Sequence, residues 1–149
     1  MASFEVEVAA PFRLDLAVWA LRWRAHNQMD RFDGGCWRRV LATAGRTVEI
    51  AVTQPARPDR PRLAVEATAR RPGRGGDYEN ELRGVVGRCL GLDVNLEGFY
   101  RLAERDWCLA GLAGRFHGMR PPRFLTVFEA VVNAIACQQL SLTEQRNSR

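Results

Sequence analysis

Apolar and polar positions alternate along three short segments in the first half of the chain, 4–8, 48–52 and 63–67. In the second of these segments, Val48, Ile50 and Val52 alternate with Thr47, Glu49 and Thr53. Alternation with a period of two indicates strands with one buried face, and polar outer faces are typical of an antiparallel sheet. A fourth strand is predicted at Cys36–Thr43, directly after a hairpin signal.

Turn residues mark where these strands are joined. Phe32-Asp33-Gly34-Gly35 is the hairpin signal just before Cys36–Thr43, and Gly45-Arg46 predicts the next turn. Between the first strand and the hairpin, Leu14–Trp23 predicts a helix. This helix is so apolar that most of its circumference should be covered.

The spacing of apolar residues changes to the helical period after Asp77. Helices are predicted at Tyr78–Leu90, which Gly91 ends, and at Leu96–Ala103, whereas Trp107–Met119 is predicted to be irregular or weakly helical. The chain therefore predicts an α+β fold. A small antiparallel sheet domain with helices would occupy residues 1–92, and residues 93–149 would begin an all-α domain.

Two capping-box patterns lie near the end of the chain. Thr126-x-x-Glu129 predicts a helix that begins at Val127, and Ser141-x-x-Glu144 predicts one that begins at Leu142. The apolar residues expected to form the buried face of the first of these helices are Phe128, Val131, Val132 and Ile135.

The residues Gln138-Gln139-Leu140 predict a short turn between these two helices. Free backbone N–H groups at the start of the second helix would attract phosphate. The two amides both donate and accept hydrogen bonds, so either could fill a DNA groove or replace an extruded base. The alternative is an ordinary solvated turn, which the spacing alone favours.

Charge adds weak support for a polyanionic partner. The net charge is +5, the pI is about 9.7, and all 22 basic residues are arginines. Arginine suits phosphate geometry well. Six arginines surround the last predicted strand, where a solvated basic loop is the favoured interpretation and phosphate contact the alternative: Arg57, Arg60, Arg62, Arg70, Arg71 and Arg74.

The cysteines and the apolar segments argue against a metal-binding protein and against a membrane-spanning one. Cys36, Cys89, Cys108 and Cys137 lie far apart, so a zinc or iron–sulfur site is not expected. The longest apolar stretch, Val127–Cys137, is too short and too polar to span a bilayer, and no secretion signal is present. We expect a cytoplasmic protein with reduced, mostly buried thiols, no metal and no membrane contact.

The segment V-F-E-A-V-V-N-A-I-A-C-Q-Q-L-S resembles the opening of the glycosylase domain of the DNA-3-methyladenine glycosylase II family, within the helix-hairpin-helix superfamily. The match extends over Pro122–Thr143. The upstream part resembles more loosely the TATA-binding-protein-like N-terminal domain of that family. The resemblance implies base flipping in double-stranded DNA and hydrolysis of the N-glycosidic bond of alkylated purines. It implies no cofactor, and a monomer in the full-length form.

The resemblance also implies roles for particular residues. Gln138, Gln139 and Leu140 would enter the minor groove, with Gln139 as the wedge by position and Ser141 capping the next helix; which amide inserts stays open. Relatives lend an aromatic ring from the first helix to the base pocket. The matching position here is Ala20, so Trp19 is a substitute candidate for the substrate pocket, although burial in the core is the favoured interpretation of Trp19 and Trp23.

The family's glycine hairpin and catalytic aspartate would follow beyond Arg149. All seven aspartates of the chain precede Val127, so none takes the catalytic role by position. His26 and His117 have no acidic or cysteine neighbour in sequence that would suggest catalysis. We therefore expect a truncated, inactive glycosylase chain without catalytic residues. The rival interpretation is a non-catalytic DNA-binding or scaffold module.

Overall fold

Five antiparallel strands form one sheet in the computed structural model, which describes residues 2–22, 28–43, 45–55, 61–69 and 78–139. The strands are β1 (Ala2–Glu7), β2 (Asp30–Asp33), β3 (Cys36–Thr43), β4 (Arg46–Thr53) and β5 (Arg62–Ala69). Their order in the sheet is β1-β5-β4-β3-β2, so β1 and β2 are the edge strands. The predicted antiparallel sheet is confirmed.

One face of this sheet forms the core together with α1 (Leu14–Leu21) and α2 (Tyr78–Leu90). On β4, Val48, Ile50 and Val52 are fully buried, as their alternation predicts. The buried residues of α2 repeat at helical spacing and face the same core, because positions three and four apart share a helix face. They are Leu82, Val86, Cys89 and Leu90.

The predicted turns and the predicted end of α2 have the backbone geometry that their glycines allow, and Gly45, between β3 and β4, has φ 69°. Gly34 and Gly35 have φ values of 55° and 75°, and positive φ at both central positions matches the right-handed twist of a β2–β3 hairpin. Gly91 ends α2 with φ 63°, and the Leu92 N–H donates back to the Gly87 carbonyl at 2.9 Å.

The second half of the chain is helical, with α3 (Glu97–Ala103), α4 (Trp107–Arg115) and α5 (Val127–Gln139). The prediction of irregular or weakly helical structure after Trp107 is wrong, since α4 is a regular helix. Its start is stabilised by Asp106, whose Oδ1 accepts hydrogen bonds from the N–H groups of Cys108 at 2.8 Å and Leu109 at 3.2 Å. The α+β architecture is confirmed.

Helix α1 is less covered than its composition predicts. Its buried residues are Leu14, Ala17 and Val18, which form one stripe. The free N–H of Leu14 donates to the side-chain oxygen of Gln54 at 2.7 Å, so a residue that follows β4 caps this helix. The expectation that most of the circumference is covered is wrong, because only the stripe that faces the sheet is packed.

A buried arginine joins the two halves of the chain. Arg120 donates to the carbonyl oxygens of Ala9 at 2.8 Å, Leu92 at 3.0 Å and Val94. Burial lowers the pKa of this guanidinium from its ordinary value. These bonds tie the segment before α5 to the segments before α1 and after α2. The predicted division into two domains near Leu92 stays a prediction.

Candidate nucleic-acid interface

The outer side of α1 carries an exposed tryptophan beside an open pocket. Trp19 is 57% exposed, so the expectation that it is buried in the core is wrong. The reason is helical geometry: Trp19 follows Val18, the last residue of the buried stripe, by one position, which is about 100° around the helix. The pocket, of about 410 Å³, is lined by Asp15, Leu16, Val18, Trp19, Arg22 and Phe32. Trp23 lies outside the described residues.

Two charged groups flank the indole ring in this pocket. Asp15 accepts two hydrogen bonds from Arg13, at 3.1 Å from Nε and 2.5 Å from Nη2. The hydrogen bond that Arg13 donates to Asp15 raises the pKa of the Arg13 guanidinium. Arg22 donates to the Phe32 carbonyl at 3.3 Å. The pocket lining therefore combines two aromatic residues, Trp19 and Phe32, with an anionic and a cationic side chain.

A second aromatic ring supports Trp19 from the helical half of the chain. The rings of Trp19 and Phe116 are stacked, with centroids 5.9 Å apart and planes 25° apart. The Arg115 guanidinium lies 5.6 Å from the Phe116 ring centroid. Sequence reasoning missed Phe116, because only the folded chain brings the end of α4 to α1.

The backbone around Phe116 is fixed by three further contacts. The Arg13 N–H donates to the Gly118 carbonyl at 2.9 Å, and the Gly118 N–H donates to the Tyr100 hydroxyl at 3.0 Å. His117 lies against the Tyr100 ring with centroids 5.1 Å apart. His117 therefore packs against the ring of Tyr100. His26 lies outside the described residues.

Helix α5 begins as the capping box predicts. The Thr126 hydroxyl accepts from the Glu129 N–H at 3.0 Å, and Glu129 Oε2 accepts from the Leu125 N–H at 3.2 Å. The helix then continues further than predicted, since the backbone of Gln138 and Gln139 belongs to its last turn. The prediction that both glutamines lie in a turn is wrong, because the segment contains no glycine or proline and glutamine is a good helix former.

The other residues predicted at this end of the chain are not described. Leu140, Ser141 and the helix predicted from Leu142 lie outside the described residues, and so do the side chains of Gln138 and Gln139. The DNA-contacting roles of Gln138, Gln139, Leu140 and Ser141 stay predictions.

The apolar face of α5 is exposed. The prediction that this face is buried is wrong for this chain, because no described element covers it. The exposed fractions are 78% for Phe128, 48% for Val131, 45% for Val132 and 53% for Ile135.

The remaining candidates from the sequence are structural where they are described. Arg62 pairs with Glu5 at 3.4 Å and Glu7 at 3.7 Å, and the other five arginines of its cluster lie outside the described residues. Cys36 and Cys89 are buried free thiols, and Cys108 is an exposed one. Burial raises the pKa of the Cys89 thiol to about 12.

Within the described ranges, no group of three His, Cys, Asp or Glu residues could hold a metal ion. Likewise, no helix of the described part is long and apolar enough to cross a bilayer.

The fold is similar to that of a solved DNA-repair enzyme. A 3-methyladenine DNA-glycosylase from Archaeoglobus fulgidus matches 94% of this chain with a TM-score of 0.72 and 25% sequence identity. The chain spans about half of that protein, 46% of its length. No model of a known protein family matches the sequence, and a comparison with curated proteins finds no match. The structural similarity supports a relation to DNA glycosylases.

Proposed function

We propose that this chain is part of a DNA base-excision glycosylase of the 3-methyladenine glycosylase II type and contributes the surface that recognises an alkylated purine in double-stranded DNA. The observation that carries the proposal is the similarity to a 3-methyladenine DNA-glycosylase over 94% of the chain. Residues 93–149 are then the first helices of the all-α glycosylase domain. Hydrolysis of the N-glycosidic bond needs a catalytic aspartate that this chain does not supply.

In this proposal α5 brings its final turn to the minor groove at the lesion. Gln139 enters the space left by the flipped nucleotide, with Gln138, Leu140 and Ser141 beside it. Unstacking a base costs on the order of a few kcal/mol, and a group inserted into the gap offsets part of that cost. The helical backbone at Gln138 and Gln139 supports this role because it holds both residues on a regular element.

Trp19 is proposed to receive the extruded base in the pocket beside α1. An alkylated purine carries positive charge, which an indole face attracts by stacking and by the cation–π effect, worth about 0.5–2 kcal/mol. The support is geometric: Trp19 is exposed, lines the pocket and is backed by Phe116. The Asp15 carboxylate at the pocket wall adds a second group suited to a cation.

Replacing Gln139 tests the DNA-binding half of the proposal. Gln139→Ala should weaken binding to a duplex with an abasic-site analogue about tenfold, roughly 1.4 kcal/mol, since the gap loses its occupant. Binding to undamaged duplex and its salt dependence should change by less than about twofold, because phosphate contacts set both. Fluorescence anisotropy with the two duplexes measures the affinities, and Gln28→Ala, at an exposed glutamine outside α5, is the matched control.

Two results would count against this role. An equal loss on undamaged duplex would make Gln139 a phosphate-positioning contact, and no loss on either duplex would make it a solvated residue. A wild-type chain that binds both duplexes equally would favour the non-catalytic DNA-binding module.

Replacing Trp19 tests the pocket. A cationic nucleoside with an N7-alkylated guanine should quench tryptophan fluorescence more than unmodified guanosine does. Trp19→Ala should remove that difference, or weaken the affinity roughly 2- to 30-fold, because the stacking face is lost. Trp107→Ala, at a tryptophan that is 88% exposed on α4, should leave the difference intact. Equal loss in both variants would argue for unspecific stacking on exposed indoles.

A further inference from the structure

A charged side chain on the sheet reaches from the core to helix α5. Arg39 lies on the inner face of β3 and is 3% exposed. Its Nη1 donates to both carboxylate oxygens of Asp30, at 3.2 Å each, and its Nη2 is paired with Glu129 Oε1 on α5. Asp30 also accepts from Trp37 Nε1 at 3.0 Å. The network therefore connects β2, β3 and α5.

Stability alone does not explain a buried cluster of this kind. Removing charges from water costs much free energy. A protein with well-packed apolar groups in place of a buried ion pair is therefore often as stable or more stable. Arg39 Nε is buried and has no hydrogen-bond partner, so the guanidinium is not placed to satisfy all its donors. Burial lowers the pKa of Arg39, but the hydrogen bond that Arg39 donates to Glu129 and the charge of Asp30 outweigh it and raise the pKa. The cation is therefore held between its two carboxylates.

Glu129 combines this ion pair with the start of α5. One carboxylate oxygen binds Arg39, and the other accepts from the Leu125 N–H at 3.2 Å, one residue before the cap residue Thr126. The apolar side of the same helix is exposed, as described above. Glu129 thus connects the core of the sheet to α5, a helix whose apolar face is exposed, and we call Glu129 the fixed point of α5.

The fixed point lies near the start of α5, so a small tilt of the helix around Glu129 displaces the far end of the helix by a large distance. Gln139 follows Glu129 by ten residues in α5, a distance of about 15 Å at the helical rise per residue. A tilt of about 10° around Glu129 then moves the end of the helix by roughly 2.6 Å. A shift of that size exceeds the tolerance of a group that must enter a single gap in the base stack.

We propose that Arg39 is a positioning residue, which through Glu129 fixes the direction of α5 and thereby the place where Gln138 and Gln139 meet DNA. The DNA part of this inference rests on the function proposed above. The tether between sheet and helix rests only on the contacts of Arg39 and Glu129.

The tether is best cut at Glu129. Substituting Arg39 leaves Asp30 buried without its cation, which risks unfolding. Glu129→Gln removes the negative charge but keeps an oxygen that can accept from the Leu125 N–H. Two controls match it: Glu79→Gln breaks the ion pair with Arg83 inside α2, and Thr126→Ala weakens the cap of α5 without touching Arg39.

A distance measurement between the sheet and α5 tests the tether directly. Nitroxide labels are placed at Thr68 on β5 and Ala134 on α5, two exposed positions, after Cys108 and Cys137 are changed to serine. Glu129→Gln should broaden the distance distribution from double electron–electron resonance at least about twofold, whereas both controls should leave it near the wild-type width. An unchanged distribution in Glu129→Gln, or equal broadening in Thr126→Ala, would overturn the tether.

DNA binding by the unlabelled 149-residue chain tests the positioning role of Arg39 and Glu129. Glu129→Gln should weaken binding to the abasic-site duplex about tenfold and binding to undamaged duplex less than about twofold, a selectivity that general destabilisation would not produce. If the distribution broadens while the preference for the abasic-site duplex is kept, the positioning role is wrong. If the wild-type chain shows no such preference, the proposed function fails, and the distance measurement still decides the tether.

Discussion

Duplex DNA that carries 3-methyladenine is expected to lose no base above the spontaneous rate when it is incubated with the 149-residue chain. An intact glycosylase would accelerate the release by roughly 10⁶-fold or more. All seven aspartates of the chain precede Val127, so none lies where the proposed family places its catalytic one, and four of the five described aspartates are already engaged. Asp15 pairs with Arg13, Asp30 with Arg39, Asp93 with Arg123, and Asp106 caps α4.

Single-turnover release of 3-methyladenine from methylated duplex measures this prediction, with a reaction without protein as the control. Release above that control would contradict it. Asp15→Asn is then the first variant to examine, because Asp15 lines the pocket beside Trp19. Loss of the release in that variant would assign the chemistry to this carboxylate.

Hydrogen exchange should be at least about 100-fold faster for the amides of residues 127–135 than for those of β4. Each exposed apolar side chain of α5 forgoes about 1.5–3 kcal/mol of burial, whereas Val48, Ile50 and Val52 on β4 are fully buried. The ion pair of Glu129 fixes only the first turns of α5, so local opening needs little of the core to unfold. Exchange followed by mass spectrometry on both segments measures the difference.

Two valines give the matched control for the same prediction. Val86→Ala on α2 should lower the free energy of unfolding by about 2 kcal/mol, because Val86 is fully buried. Val132→Ala on α5, where the valine is 45% exposed, should change it by less than about 0.5 kcal/mol. An equal cost at both positions, or equal protection of both segments, would mean that the face of α5 is covered in solution. Dependence on protein concentration would then identify a second copy of the chain as the cover.

The sequence determined the local structure wherever neighbouring residues decide it. Alternation predicted the strands because a strand turns successive side chains to opposite faces, and Gly34-Gly35 predicted the hairpin because glycine adopts positive φ readily. The helical period predicted α2, and Thr126 with Glu129 predicted the start of α5. Each of these signals lies within a few residues of the structure that it specifies.

Only the tertiary structure decided which apolar surfaces are covered and which distant residues meet. Trp19 is exposed because the sheet covers one stripe of α1, and the face of α5 is exposed because no described element packs on it. Trp19 meets Phe116, and Arg39 meets Glu129, across long stretches of chain that carry no pattern linking them. Periodicity tells which residues share a face of an element, but burial and ion pairing depend on what the fold places opposite that face.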